Sequence, residues 1–317
     1  MAEPLNEPWP DLPLSAWADT RDTLQLWTQI VGKIRLAQTP WLNHSWHVPL
    51  YVNARGLTTS PIAHGSRSFD IQFDFTLHVL DITVSDGGVR RLALRPQSVA
   101  DFYAGVMAAL ADLGVAVAIN EMPSEIAGAT AFSQDRVHAA YDPDYARRFW
   151  QVLLQTDRVL KSFRTGFIGK SSPVHFFWGG FDLAVTRFSG RRAPPYAGKI
   201  PGLALEVMQE AYSHEVSSAG FWTGGGGIDY PAFYSYAYPI PAVFREFKVQ
   251  PAAAFWSETL GEFLLPYDAV RTSADPDAAL LAFLQSTYEA AAITAHWDRA
   301  ALECPRGYPG VPRDPST

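Results

Sequence analysis

Apolar residues follow two different periods along the first third of the chain. Over residues 16–37, Leu24, Trp27, Val31 and Ile34 recur at helical spacing, which predicts a helix with one apolar face. "NHSWHVPLYVNARGL" then reads as a strand from about residue 46, with Pro49 pointing to an edge position. "SFDIQFDFTL" alternates. Phe69, Ile71, Phe73, Phe75 and Leu77 fall on one face, and Asp70, Gln72, Asp74 and Thr76 on the other, the signature of a half-buried antiparallel strand. "HVLDITVSDGGVRRLAL" reads as two strands joined at Asp86-Gly87. Ser98 is placed to cap a helix carrying Val99, Phe102 and Val106, and Gly114 to stop it. A short strand over 115–119 and a linker to about residue 142 complete this half.

The second half follows the same plan. "DPDYARRFWQVLLQTDRVLKSF" predicts a long helix starting near Asp142 or Asp144, and "SPVHFFWGGFDLAVTRFSGRR" a strand over about 174–188. Residues 189–228 read as an insertion with a short helix (203–212), a strand (213–222) and the loop "TGGGG". "AFYSYAY", "AAAFWS" and "EFLLPY" read as strands, and Asp275-Pro276 opens a final helix with Leu280, Phe283, Leu284 and Tyr288 inward. The motif L-x-T-x-x-V-x-K occurs twice, pairing Leu26, Thr28, Val31 and Lys33 with Leu154, Thr156, Val159 and Lys161. The same offset pairs His47 with His175.

The expected fold is therefore α+β, an internal duplication. Two similar modules of antiparallel sheet with flanking helices (15–120 and 142–300) pack as one compact unit, joined by a linker at 121–141 and flanked by irregular arms at 1–14 and 301–317. A crevice between modules is the default place for a ligand.

Composition narrows the classes. The chain has 317 residues, 48% of them hydrophobic, enough for a large core. A net charge of −7 argues against nucleic acid as a partner. Cys304 is the single cysteine, so no intrachain disulfide can form and a reducing compartment fits. The acidic, proline-rich start has no apolar core of a signal peptide, and no run approaches the roughly 18 apolar residues of a membrane span. A cytoplasmic protein is expected; its oligomeric state is left open.

Several long strings, "LWTQIVGKIRL", "HVPLYVNARGLTTSPI", "SPVHFFWGGFDLAVTRFSGRRAPP", "EAYSHEVSSAGFW" and "LLAFLQSTYEAAA", together resemble a bacterial family described only as a domain of unknown function, number 5996. The resemblance spans about residues 9–300. It implies a family-wide unit and a bacterial cytoplasmic protein, and it carries no activity, substrate or catalytic residue.

The function has to come from the residues. His175, His214, Glu215 and His47 form a candidate set for a divalent metal, although no H-E-x-x-H or cysteine pair is present. The alternatives are histidines satisfied in the core, or an acid–base role without metal. On a continuous strand His175 and Arg187 share a face, as do His47, Tyr51, Asn53 and Arg55 in the first half. An imidazole and a guanidinium across an apolar floor suit a small, partly apolar anion. Such a site would use His175 as acid or base, with His47 and His214 assisting. Arg187, Arg191 and Arg192 would hold the anion, with Trp178 and Glu215 at its wall. The competing reading has these arginines paired with acids or in solvent. Asp182, among bulky apolar residues, must be paired or protonated if buried; an ion pair or a general base are its two roles. "FWTGGGGIDY" lacks the Lys-Ser/Thr of a phosphate loop and reads as a flexible loop. An enzyme, a non-catalytic metabolite- or cofactor-binding protein, and a structural or interaction protein all remain open.

Overall fold

The computed structural model describes residues 7–225 and 227–313. The outermost parts of both arms and Gly226 of the glycine loop lie outside the described residues. The chain divides into two units. One comprises the residues up to Leu154 with Phe176–Phe181 and Gly198–Val207; the other comprises Gln155–His175, Asp182–Ala197 and the residues from Met208 on. Each holds an antiparallel sheet with flanking helices.

In the first unit, helix α1 (Leu14–Gln38) buries Leu24, Trp27, Val31 and Ile34, as its spacing predicts. Strands β1 (Tyr51–Val52), β2 (Gly56–Thr58), β3 (Ile62–His64), β4 (Arg67–Asp74), β5 (Val79–Val84) and β6 (Val89–Ala93) form one sheet, ordered β1-β2-β4-β5-β6 with β3 also on β4. Phe69, Ile71 and Phe73 of β4 are buried. Phe102 of helix α2 (Val99–Asp112) stacks on Trp27 at 4.5 Å and lies 6.4 Å from Phe73, closing the core between sheet and helices. The Ser98 hydroxyl accepts the Asp101 N–H, and Gly114 leaves the helix at φ +67°.

Three expectations need correcting here. Residues 115–119 form no strand. The segment from residue 46 is not extended: a 3₁₀ turn at Asn43–Ser45, with His44 at φ 59° and Ser45 at φ 56°, precedes a strand of only two residues. Asp74, assigned to the polar face, is fully buried, because it pairs with Arg55 and accepts the N–H groups of Thr76 and Leu77.

Helix α3 (Pro143–Arg164) starts within the first unit's span and ends in the second's. Its Asp142 side chain accepts the N–H groups of Asp144 and Tyr145. Then come β7 (His175–Phe177), β8 (Asp182–Arg192), α4 (Leu205–Ala211), β9 (His214–Trp222), β10 (Ala232–Tyr238), β11 (Phe255–Ser257), β12 (Glu262–Pro266), α5 (Tyr267–Arg271), α6 (Pro276–Thr294) and α7 (Arg299–Leu302). The sheet order is β11-β12-β10-β9-β8-β7. Asp275 caps α6 by accepting the Ala278 N–H, with Pro276 in its first turn.

The stretch 174–188 is not one strand. It turns back at 178–181, with Phe181 in the left-handed region (φ 57°) and no room for a Cβ at Gly179, where Glu125 packs against the turn. Residues 189–228 hold the expected short helix and strand, as α4 and β9. They supply the end of β8 and all of β9, which lies between β8 and β10. Among the described residues no helix is long and apolar enough to cross a membrane.

Candidate functional site

Strand register sorts the second sheet into two chemically different faces. On β8, Leu183, Val185 and Arg187 point one way, and Asp182, Ala184 and Thr186 the other. The first set lies on the helix side, since the Arg187 guanidinium sits 4.3 Å from the Tyr288 ring of α6. Phe221 and Phe233 of β9 and β10 meet Tyr267 of α5 on the same side. Pairing then carries the opposite face across the sheet. Ala184 pairs with Gly220 and Thr186 with Ser218; Gly220 pairs with Tyr234, Ser218 with Tyr236, and Tyr234 with Leu264. Glu262, two residues from Leu264 on β12, shares this face.

The face away from α5 and α6 therefore collects Asp182, Thr186, Ser218, Tyr234, Tyr236 and Glu262. Gly220 makes the arrangement possible. A Cβ there would stand 2.6 Å from the Tyr234 hydroxyl and 2.2 Å from the Leu183 carbonyl oxygen, so only glycine lets the tyrosine lie across β9. The Tyr234 hydroxyl reaches Asp182 and donates to Oδ2 at 2.5 Å. Beside it, Thr186 and Ser218 share a hydroxyl hydrogen bond of 2.9 Å, and Tyr236 and Tyr212 one of 3.0 Å.

Neither Asp182 nor Glu262 has an ion-pair partner among the described residues. Burial pushes the Asp182 carboxyl up to about 6, against the pull of the Tyr234 hydrogen bond. Burial, then the negative charge of Asp182, pushes Glu262 up to about 7. Burial and the Asp182 charge push Tyr234 well above its ordinary value, so it remains a donor at neutral pH. Two carboxyl groups are thus both raised toward neutrality, beside tyrosine rings.

The other candidates are placed elsewhere. His175 is buried at 1% exposure. Arg187, also buried, lies on the opposite face of β8 from Asp182, so the two do not share a site. Arg191 bonds Glu215 at 2.7 Å and the carbonyls of Ala295 and His296 at 2.5 and 3.1 Å, tying down the end of α6. Arg192 is exposed and pairs in register with His214. His214 and Glu215 are adjacent on β9 and point to opposite faces, so they cannot converge on one ion. In the first unit the His47 ring accepts the Leu42 N–H at Nδ1 and lies 4.6 Å from Trp41. Tyr51 stacks under Arg35 at 5.2 Å. Asn53 accepts the N–H groups of Arg55 and Gly56, fixing a turn, while Arg55 pairs with Asp74. Trp178 donates to the Val48 carbonyl at 3.0 Å and fills the notch above Gly32. Among the described residues no group of three or more His, Cys, Asp or Glu side chains is placed to hold a metal ion, His175, His214, Glu215 and His47 included.

Tyr234, Tyr236 and Glu262 were missed. The signal was present in "AFYSYAY", where tyrosines recur every second residue on one face of a strand. Glu262 is an isolated acid that gains meaning only when β12 is set beside β10.

The model of a family of unknown function, DUF5996, matches residues 9–304, nearly the whole chain. The chain belongs to this family. No curated protein and no solved structure matches it.

Proposed function

We propose that the second unit carries an acid–base site for a small, partly apolar molecule, with Asp182 as proton acceptor and Glu262 as proton donor. The observation that carries this reading is the pair of carboxyl groups raised to about 6 and about 7 on one sheet face, neither with an ion-pair partner among the described residues. At neutral pH the first is largely ionised and the second about half protonated. General acid–base catalysis needs that combination, because proton transfer is most efficient when donor and acceptor titrate near the working pH. Tyr234 positions Asp182 through its hydrogen bond and leaves the second carboxylate oxygen to take a proton. The rings of Tyr234 and Tyr236 offer a flat apolar surface for the body of the molecule.

The chemistry expected of the pair is removal of a proton next to a carbonyl by Asp182 while Glu262 protonates the carbonyl oxygen. Reversal of the transfers restores both groups. An anion is disfavoured here, because two carboxyl groups of like charge face it, so the reacting part of the molecule is neutral. Histidine takes no part in this version. The repeated order of helix, antiparallel strands and helix supports the further reading that the chain arose by duplication, with the acid pair on one copy only.

The test is solvent hydrogen exchange. Aromatic and alicyclic ketones are incubated with the protein in deuterated water, and NMR follows deuterium entering beside the carbonyl. The account expects enzyme-dependent exchange for some of the panel, lost in Asp182→Asn with binding retained. Exchange that persists in Asp182→Asn, or a panel that neither binds nor exchanges, refutes it.

A further inference from the structure

A second feature of this unit lies on the helix side of the sheet, where the acid pair does not reach. Arg187 is 2% exposed, yet no carboxylate stands within salt-bridge distance of it among the described residues. Its guanidinium lies 3.5 Å from the Phe163 ring centroid, 4.3 Å from Tyr288 and 5.0 Å from Phe167. Its one hydrogen bond there runs from Nη2 to the Phe163 carbonyl at 2.5 Å. The Nε–H is buried without an acceptor. The nearby acid Glu303 is already held by Arg299 at 2.5 and 3.0 Å. Burial lowers the Arg187 group to about 10, so it still carries its charge at neutral pH.

Aromatic rings over a guanidinium offset part of the cost of burying it, and they cover its faces, not its edges. The donor edges call for an anion. Arg187 also lines a cavity of about 520 Å³, the size of small-molecule sites in general. The α6 side of the wall is apolar, from Ala278, Leu281 and Ala282 with Phe163 and Tyr288; Gln285 and the Arg299-paired Glu303 line the cavity as well. Arg306 adds a second positive charge at the rim, and Cys304 lines the same space.

We infer that this cavity is a binding site for a small carboxylate with an aromatic or alicyclic body, its carboxylate held by Arg187 and its body against α6. A carboxylate matches the planar donor fork of arginine, and the apolar wall accounts for the rest of the ligand. The site does not depend on the acid–base reading, since Asp182 and Arg187 lie on opposite faces of β8.

Cys304 supplies the readout, because it is the only cysteine in the chain. Its rate of reaction with a disulfide reagent is measured in the full-length protein with benzoate, cyclohexanecarboxylate, benzamide or inorganic phosphate. The expected result is saturable protection by both carboxylates, with benzamide and phosphate weaker by about tenfold or more, the scale of one charge-assisted hydrogen bond. Arg187→Gln abolishes the preference for carboxylate over amide. Ala282→Phe, at a half-buried position on the cavity wall, abolishes protection even where Arg187→Gln fails to fold. The inference is overturned if neither carboxylate protects, if benzamide protects as well as benzoate, if phosphate does so, or if Ala282→Phe leaves protection unchanged. Asp182→Asn leaves protection intact, which separates failure here from failure of the acid–base site.

Discussion

Replacing Asp182 by Asn should make the protein's stability less sensitive to pH, with a sign that the geometry fixes. Asparagine resembles the protonated carboxyl and can still accept from Tyr234. The native carboxyl titrates at about 6, whereas its ordinary value is 3.8. The folded protein therefore holds this proton to higher pH than the unfolded chain does. Stability tied to the group is fully present below the unfolded value and is lost as pH rises through about 6. The gap of about 2, at about 1.4 kcal/mol per pH unit, gives about 3 kcal/mol as the cost of ionising Asp182 in place. In Asp182→Asn that cost vanishes. The variant should thus gain on the wild type by about 2–3 kcal/mol between about pH 4 and about pH 8. Urea denaturation at several pH values measures the difference directly. A gap that stays constant with pH, or shrinks as pH rises, refutes the reasoning, because it would mean that Asp182 ionises without penalty.

Other substitutions probe the packing that holds the site and the fold. Tyr234→Phe removes the donor that favours the charged form of Asp182, so the Asp182 titration moves further up and stability falls by about 1–3 kcal/mol; a downward move of the titration contradicts the assigned hydrogen bond. Gly32→Ala should cost about 1–3 kcal/mol in a thermal melt despite alanine's better helix propensity, since its Cβ would stand 2.1 Å from the Trp178 indole nitrogen; a stabilised variant contradicts the close packing. Arg191→Ala should cost only about 1 kcal/mol, because the side chain is largely exposed. It should still speed amide hydrogen exchange at the C-terminal end of α6, because it holds the carbonyls of Ala295 and His296 just beyond that helix; unchanged exchange removes that role.

Local rules carried much of the fold. The alternation Phe69, Ile71, Phe73 placed β4 correctly because that face is buried while Ser68, Asp70 and Gln72 on the other are only half-buried. Ser98 and Asp275 marked helix starts because their oxygens have a backbone N–H to accept. The failures arose where parity carries no information. Phe176, Trp178 and Phe181 are all buried, so the hydrophobic run looked continuous and hid a turn that places Phe181 in the left-handed region. "VAVAI" has strand composition but no neighbouring strand to pair with. At the site, Asp182 was visible as an acid among apolar residues. Its partners were not, since Tyr234 and Glu262 lie about 50 and 80 positions further on, and only the order β8-β9-β10-β12 brings them to one face. Arg187 was expected in different surroundings from those it has. The expected shared face with His175 assumed one continuous strand, and the arginine instead sits among Phe163, Phe167 and Tyr288.

The most direct measurement is a carboxyl titration by ¹³C NMR on protein labelled at aspartate and glutamate side chains, with Asp182→Asn and Glu262→Gln used to assign the two resonances. The account predicts a midpoint near 6 for Asp182 and near 7 for Glu262, with Glu262 moving down when Asp182 is replaced. Midpoints at the ordinary values of both acids, with no response of Glu262 to the loss of Asp182, would contradict it.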